Sequence, residues 1–184
     1  MSKKQLWIMI GVAGSGKDYW IKNHIDSFKG NAKVVSRDEI RFSMLDIDAD
    51  TISIDNKVYF SKEKEVYKEY INQICDGLTH NDIVIANATH LNEGSRSKLF
   101  RSISGIAHQK VVEINAMVIK TPLKTCLNNN SNRKGAKFVP EQQIKRMYSS
   151  LTIPTIEEGF DNIYVYKIEQ GCPKYSIIQK EKYQ

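Results

Sequence analysis

The chain has 184 residues and a mass of 21.1 kDa, the size of one ordinary domain. Apolar residues make up 41% and charged residues 26%, a balance that excludes a disordered chain and predicts a soluble globular one with a moderate net charge of +6. Its longest apolar stretch, residues 6–14, is far shorter than the roughly 20 residues of a membrane span, so we expect no membrane association.

Short β-branched apolar runs alternate along the chain with segments of helical periodicity. Strands are predicted at Leu6–Ile10, Lys33–Val35, Ile83–Ala86, Val111–Ile119 and Ile163–Ile168. Helices are predicted over residues 62–79 with Ser61 as N-cap, from an Asn92 cap through Ile103, and from Pro140 to Leu151. Residues 46–55 and 128–137 are polar and are predicted loops.

This alternation of elements predicts an α/β fold with a parallel central sheet of about five strands and helices on both faces. No linker or repeat interrupts the pattern, so we expect a single domain over residues 1–184. The cysteines Cys75, Cys126 and Cys172 are odd in number and form no CxxC pair, which is typical of a reducing compartment. We therefore expect a cytoplasmic protein with small buried cysteines.

The first predicted strand runs into a glycine-rich loop that matches the pattern GxxxxGK and precedes a helical stretch. The loop consists of Gly11, Val12, Ala13, Gly14, Ser15, Gly16 and Lys17. Glycines let successive backbone N–H groups converge on phosphate oxygens, and the start of a helix favours an anion. Because strand, loop, lysine and helix occur together, we predict an ATP site in which Lys17 faces the β- and γ-phosphates.

Asp18 follows this loop at the position where a Walker A motif has Ser or Thr, whose hydroxyl binds Mg²⁺. A carboxylate also binds Mg²⁺, directly or through water. We therefore expect Asp18 to be a metal ligand, with Mg²⁺ as the cofactor of ATP.

The second predicted strand ends at residue 36, directly before Arg37, Asp38 and Arg41. Because ligands of open α/β sheets lie beyond the carboxyl ends of the strands, Asp38 is expected to face the phosphate loop and to accept a hydroxyl proton. The alternative is that Asp38 only caps the next helix. Arg41, one turn later, either binds an acceptor phosphate or is a solvated helix residue.

Several segments, in this order, carry a resemblance to a known family. GVAGSGKD, SRDEIR, NATHLNEGSR, NNNSNRKGAKFVP and IKRMYSSL together resemble the kinase domain of the T-even phage polynucleotide kinases, from about Gly11 to about Leu151. The closing EEGFDNIYVYK is similar to the end of the wider group of ATP-dependent P-loop kinases. We expect no counterpart of that family's phosphatase domain.

The resemblance implies transfer of the γ-phosphoryl group of ATP to the 5′-hydroxyl end of DNA or RNA, in the cytoplasm of a host cell if the chain is phage-encoded. It implies Lys17 as the phosphate-binding lysine, Asp38 as the general base, and Arg41 and Thr89 near the acceptor, where we also place Arg37.

The family also has a lid arginine that contacts the donor phosphates, and the lid is expected at about residues 128–138. Alignment on Gly135 puts Lys134 at that position, with Arg133 beside it. Both are candidate catalytic residues. We favour Arg133, because a guanidinium offers the bidentate fork that an ammonium lacks.

The sequence departs from the family after the third strand, where Ala88 stands in the place of an acidic residue. We hypothesise that Asp18 supplies the missing carboxylate. His90, in the same segment, is interpreted as a polar contact rather than a catalytic group. Met147 and Tyr148 are interpreted as core residues.

The positive charge is concentrated in one part of the chain. Residues 94–150 contain eleven Lys or Arg against two Glu, a net +9, so the other residues sum to −3 of the total +6. Such a segment favours polyanions, meaning nucleotide phosphates or a nucleic-acid backbone. Two alternatives to a polynucleotide kinase stay open: a kinase for a small hydroxylated metabolite or nucleotide, and a nucleotide-binding module without turnover. The sequence leaves the oligomeric state undetermined.

Overall fold

The computed structural model describes residues 3–107 and 112–167 of the chain. The strands are β1 (Lys4–Ile10), β2 (Ala32–Ser36), β3 (Ile83–Asn87), β4 (Val112–Lys120) and β5 (Asn162–Lys167). The helices are α1 (Lys17–His24), α2 (Arg37–Leu45), α3 (Asn56–Tyr59), α4 (Glu63–His80), α5 (Glu93–Ala107), α6 (Leu123–Ser131) and α7 (Glu141–Ser150). Single turns of 3₁₀ helix lie at Ile25–Ser27, Gly135–Lys137 and Ile156–Glu158.

The five strands form one parallel sheet in the order β2-β3-β1-β4-β5, which confirms the predicted fold class. In the centre, Leu6 of β1 pairs with Val84 of β3 on one side and with Ile114 of β4 on the other. Because all strands run in the same direction, the segments that follow β1, β2 and β3 leave the sheet at one edge.

Both faces of the sheet are covered. Leu6, Ile8 and Ile10 of β1 belong to one apolar cluster, which includes buried residues of α4 such as Ile74. Met9, between them, belongs to the cluster on the other face. A strand that is buried on both faces has a continuous apolar run in its sequence, which explains why the central strands β1, β3 and β4 could be predicted.

The predicted element boundaries agree with the structure in most places. The Oδ1 atom of Asn92 accepts a hydrogen bond from the Ser95 backbone N–H at 3.0 Å, as a cap of α5 should. The helix predicted from Pro140 begins one residue later, at Glu141. Val111, Ile168 and Cys172 lie outside the described residues, while Cys126 is buried and Cys75 is half-buried.

Two predictions of local structure are wrong. Ser61 does not cap α4, because its hydroxyl donates to the Val58 carbonyl at 2.7 Å at the end of α3. The predicted loop 128–137 begins as helix, since α6 continues to Ser131. Asn130 favours the helix because its side-chain amide both donates to the Val139 carbonyl and accepts from the Val139 N–H, at 2.7 and 3.0 Å.

In the part of the chain that the structure describes, none of the helices combines the length and the apolar character that crossing a bilayer requires.

Candidate active site

The glycine-rich loop joins β1 to α1 and depends on two residues with left-handed backbone. Gly14 has φ +77° and Gly16 has φ +98°. A Cβ atom on Gly14 would lie 2.4 Å from the carbonyl oxygen of Cys126, so only glycine fits between the loop and α6. The sequence pattern predicted this loop, and the close approach of α6 explains the second glycine.

Two side chains and one backbone carbonyl from other segments hold the loop in place. The Gly14 carbonyl accepts from the Asn129 side-chain amide at 2.9 Å, and the Ser15 carbonyl accepts from the Thr121 hydroxyl at 2.7 Å. The Gly11 N–H donates to the Thr89 carbonyl at 3.0 Å. The C=O and N–H groups of one peptide unit point in opposite directions. Because the Ser15 carbonyl faces Thr121, the N–H of Gly16 faces away from Thr121.

Lys17 lies at the centre of the site. Its ammonium donates to the carbonyl oxygens of Gly11 and Val12, at 2.9 and 3.0 Å. Burial lowers the pKa of Lys17 to about 8, and the Arg133 guanidinium also lowers it, whereas the Asp18 and Asp38 carboxylates act in the opposite direction. Charges from α1, α2 and the segment after α6 therefore all act on this one ammonium group.

Asp18 joins the phosphate loop to the neighbouring strand. Its Oδ1 atom accepts a hydrogen bond from the Asn87 side-chain amide at 2.8 Å, and its Oδ2 atom lies 4.0 Å from an Arg133 nitrogen. The Asp18 side chain is 74% exposed. A carboxylate, with the amide oxygen of Asn87 beside it, fits Mg²⁺, which proteins bind through one or two carboxylates while phosphates and water supply the other ligands.

Asp38 lies in the first turn of α2. The N-cap of that helix is Ser36, whose hydroxyl accepts from the Glu39 N–H at 3.3 Å, so the alternative that Asp38 caps the helix is wrong. The Oδ1 atom of Asp38 accepts from the Arg41 guanidinium at 2.6 Å and from the Tyr59 hydroxyl at 2.8 Å. The Asp38 side chain is 65% exposed, and its charge acts on Lys17.

Arg41 is enclosed rather than solvated. Its side chain is 4% exposed, which overturns the alternative of a solvated helix residue. The guanidinium also donates to Glu63 at 2.7 Å, and its Cζ atom lies 4.3 Å from the centre of the Tyr59 ring. Burial opposes the charge on Arg41, but Tyr59, Glu63 and Asp38 together raise its pKa above the ordinary value.

Glu63, at the start of α4, contacts two arginines. One carboxylate oxygen accepts from Arg41 and the other from Arg37, whose side chain is 28% exposed. Burial works against ionisation, yet these two guanidinium groups hold the pKa of Glu63 below its ordinary value. The four charges of Arg37, Glu63, Arg41 and Asp38 thus alternate in sign along one chain of contacts.

Three residues of the site were not predicted from the sequence: Tyr59, Glu63 and Asn87. Burial raises the pKa of Tyr59, so its hydroxyl keeps the proton that it donates to Asp38. Glu63 stands in an ordinary alternation of Lys and Glu, and Tyr59 follows a loop without a motif. Only the polar end of β3 was a usable signal, because it placed Asn87 at the sheet edge where ligands bind.

Thr89 and His90 follow β3 and lie against the start of the phosphate loop. The Thr89 contact is the hydrogen bond from Gly11 to its carbonyl. His90 has φ +42°, and its ring nitrogens contact the Met9 carbonyl at 2.8 Å and the Tyr70 hydroxyl at 3.3 Å. Burial lowers the pKa of His90 to about 4, so the ring is neutral at pH 7. These contacts confirm the interpretation of His90 as a polar contact.

The expected lid, residues 128–138, packs on the loop 46–55. Lys137 donates to Asp50 at 2.8 Å, and a Cβ atom on Gly135, which has φ +56°, would lie 2.3 Å from the Ala49 carbonyl oxygen. Arg133 lies near Asp18 and acts on Lys17. Lys134 is exposed and forms no ion pair within the residues that the structure describes.

The family model of the AAA domain matches residues 6–154 of the chain. No curated protein sequence matches the chain.

Three solved structures illustrate the similarity of fold. A chain of the Pnkp1/Rnl/Hen1 RNA repair complex is 20% identical over 82% of this chain and 45% of its own length, with a TM-score of 0.58. A fungal RNA kinase is 12% identical over 95% of this chain and 41% of its own length, with a TM-score of 0.60. A gluconokinase from Sinorhizobium meliloti 1021 is 15% identical over 92% and 86%, with a TM-score of 0.51.

At these identities the similarity shows the fold alone, which is the α/β fold with a five-stranded parallel sheet described above. The chain spans less than half the length of the RNA repair protein and of the fungal RNA kinase.

Nucleotide binding is expected to weaken at alkaline pH. Below pH 8 Lys17 is charged and attracts a triphosphate; above its pKa of about 8 the amine is neutral, so the dissociation constant for ATP should rise by up to about tenfold per pH unit. Calorimetric titrations between pH 7 and 9.5 measure this. Lys17→Arg should bind with no such pH dependence, because a guanidinium stays charged. A flat profile for the wild type would contradict the assignment.

Proposed function

We propose that this chain, which belongs to the AAA domain family, transfers the γ-phosphoryl group of ATP to the 5′-hydroxyl end of a nucleic acid. The proposal treats the chain as a single kinase domain with its lid at about residues 128–138. It follows the resemblance to the kinase domain of the T-even phage polynucleotide kinases, and the geometry around Asp38 supports it.

The main support for this function is the hydrogen bonding of the two carboxylate oxygens of Asp38. Oδ1 accepts two hydrogen bonds, from Arg41 and Tyr59, whereas no donor among residues 3–107 and 112–167 is bonded to Oδ2. The carboxylate is therefore held in one orientation with one oxygen available. An acceptor hydroxyl at Oδ2 gives its proton to Asp38 while its oxygen bonds to the γ-phosphorus, and the bond from that phosphorus to the β–γ bridging oxygen breaks, releasing ADP.

The donor phosphates occupy the cradle formed by the loop of residues 11–17. Lys17 exchanges its contacts with the Gly11 and Val12 carbonyls for phosphate oxygens, and the Arg133 guanidinium stabilises charge on the transferred group. Asp18, with Asn87 beside it, would hold Mg²⁺, which when bound neutralises charge on the β- and γ-phosphates.

The two arginines of α2, Arg37 and Arg41, have different roles on the acceptor side. Arg41 is 4% exposed and bonded to Asp38 and Glu63, so we assign it the role of positioning the base rather than of contacting the acceptor. Arg37 is 28% exposed and is the one that can contact an acceptor phosphate. The Arg37 Cζ atom and the Lys98 ammonium both lie over the Tyr67 ring, at 5.3 and 4.0 Å from its centroid, so a second positive charge is close by. A polyanionic acceptor fits this surface better than a neutral sugar does.

Asp38→Asn is expected to lower kcat by about 10²–10⁴-fold, because an amide cannot accept the hydroxyl proton. ATP affinity should not change. The measurement is transfer of labelled γ-phosphate to a 5′-hydroxyl oligonucleotide, beside free nucleosides and gluconate as acceptors. Glu39→Gln, the neighbouring exposed carboxylate, is the matched control and should keep full activity. Transfer to the small acceptors alone would reject the nucleic-acid assignment, and transfer to none would leave a nucleotide-binding module.

Removal of the Asp18 carboxylate should uncouple ATP binding from Mg²⁺. In the wild type, Mg²⁺ is expected to tighten ATP binding, and Asp18→Ala should lose that gain, about tenfold or more. Asp18→Ser should keep part of it through its hydroxyl, and Ala88→Asp added to Asp18→Ala should restore part of it. Calorimetry with and without EDTA gives the answer without turnover. Equal Mg²⁺ dependence in the wild type and both single variants would rule out Asp18 as a ligand.

Arg133 and Lys134 are distinguished by substitution. Arg133→Ala should lower kcat by about 10³–10⁵-fold, the range for arginines that stabilise a phosphoryl-transfer transition state. Lys134→Ala is the matched control and should change kcat less than tenfold, because that side chain is exposed and unpaired in the described structure. Single-turnover rates with saturating ATP separate this effect from binding. The opposite order of the two variants would assign the lid position to Lys134.

A further inference from the structure

The segment beside Asp38 carries an unusual share of exposed apolar side chains. Six large apolar residues of the described chain are exposed, and three of them, Ile52, Val58 and Phe60, belong to residues 52–60. We call these three the apolar platform. Two of its members, Val58 and Phe60, flank Tyr59, whose hydroxyl bonds to Asp38, so this part of the platform borders the proposed base.

Ring geometry places Phe60 next to the two residues that hold the Asp38 carboxylate. The Phe60 and Tyr59 rings meet edge to face, with centroids 4.8 Å apart and an interplanar angle of 78°. The Arg41 Cζ atom lies 5.8 Å from the centre of the Phe60 ring, over its face. Arg41 and Tyr59 are the two residues that hold the Oδ1 atom of Asp38. Phe60 is thus one contact away from the proposed reacting group, yet 44% exposed.

The platform is held by hydrogen bonds of its own. Asp55 caps α3 by accepting from the Val58 N–H at 2.8 Å, and the Phe60 N–H donates to the Asn56 carbonyl at 3.0 Å. The Lys62 ammonium donates to the Met44 carbonyl at 2.7 Å, which fixes the segment to the end of α2. A ring in such a setting is oriented before a ligand arrives, which reduces the entropy lost on binding.

We infer that the Phe60 ring of the apolar platform stacks on the nucleobase of the acceptor's terminal nucleotide. The inference rests on the proposed function and deepens it. A planar apolar base gains from contact with an aromatic ring, and such stacking tolerates any base because every base has a π-face. Arg37, which is linked to Arg41 through Glu63, supplies positive charge for the phosphate that follows the terminal nucleotide. Recognition of this kind selects an end rather than a sequence.

The test compares two acceptors with the wild type and two variants of Phe60. One 5′-hydroxyl oligonucleotide carries a normal terminal nucleotide, and the other carries an abasic terminal residue with the same hydroxyl. For the wild type, loss of the base should raise KM about tenfold or more. Phe60→Leu should raise KM for the normal end by a similar factor, leave kcat within about twofold, and add nothing for the abasic end. Phe60→Trp should behave as the wild type.

Matched controls separate stacking from a general loss of structure. Tyr19→Leu removes an aromatic ring that is 61% exposed on α1, and it should leave KM for both acceptors unchanged. If Phe60→Leu raises KM equally for the normal and the abasic acceptor, or raises it for neither, the inference is overturned while the proposed function stays intact. If the wild type neither phosphorylates nor binds either oligonucleotide, measured by anisotropy of a labelled acceptor, both are rejected.

Discussion

The hydrogen bond from Asn87 to Asp18 connects the two halves of the candidate site. Asn87 is the last residue of β3 and pairs in register with Ser36, the last residue of β2. Asp18 lies in the first turn of α1 and Asp38 in the first turn of α2, so this contact links the phosphate loop to the strand beside the one that α2 follows. Because the strands are parallel and end at one edge, α1 and α2 both start there, with β3 between the strands that they follow, and both carboxylates act on Lys17.

A series of alternating charges determines how Asp38 is presented. Arg37, Glu63, Arg41 and Asp38 contact one another in that order. The two terminal nitrogens of the nearly buried Arg41 guanidinium bond to the carboxylates of Asp38 and Glu63, so these two carboxylates determine its position. It therefore fixes the orientation of Asp38, while Tyr59 makes the second bond to the same oxygen. One oxygen of Asp38 is held by the protein, and the other accepts no hydrogen bond from the residues that the structure describes.

Many of the site residues could be predicted because their signals are local. The phosphate loop is a contiguous pattern whose glycines are required by the backbone geometry. Asp38 lies just after the end of β2, in the first turn of α2. Tyr59 and Glu63 could not be predicted, because they reach Asp38 and Arg41 from 21 and 22 residues away, across a loop whose sequence encodes no such contact. The same cause explains Asn130, a residue typical of loops, which stays in α6 because it bonds to Val139.

The sequence by itself determined the parallel α/β fold, the phosphate loop and the candidate base, since apolar periodicity and glycine spacing depend only on near neighbours along the chain. The tertiary structure decided which charges are buried and which stay exposed. It turned Arg41 inward, brought Arg133 rather than Lys134 near Asp18, and left Phe60 exposed beside the base. Burial and pairing depend on the packing of segments that are distant in the chain, and no local pattern specifies that packing.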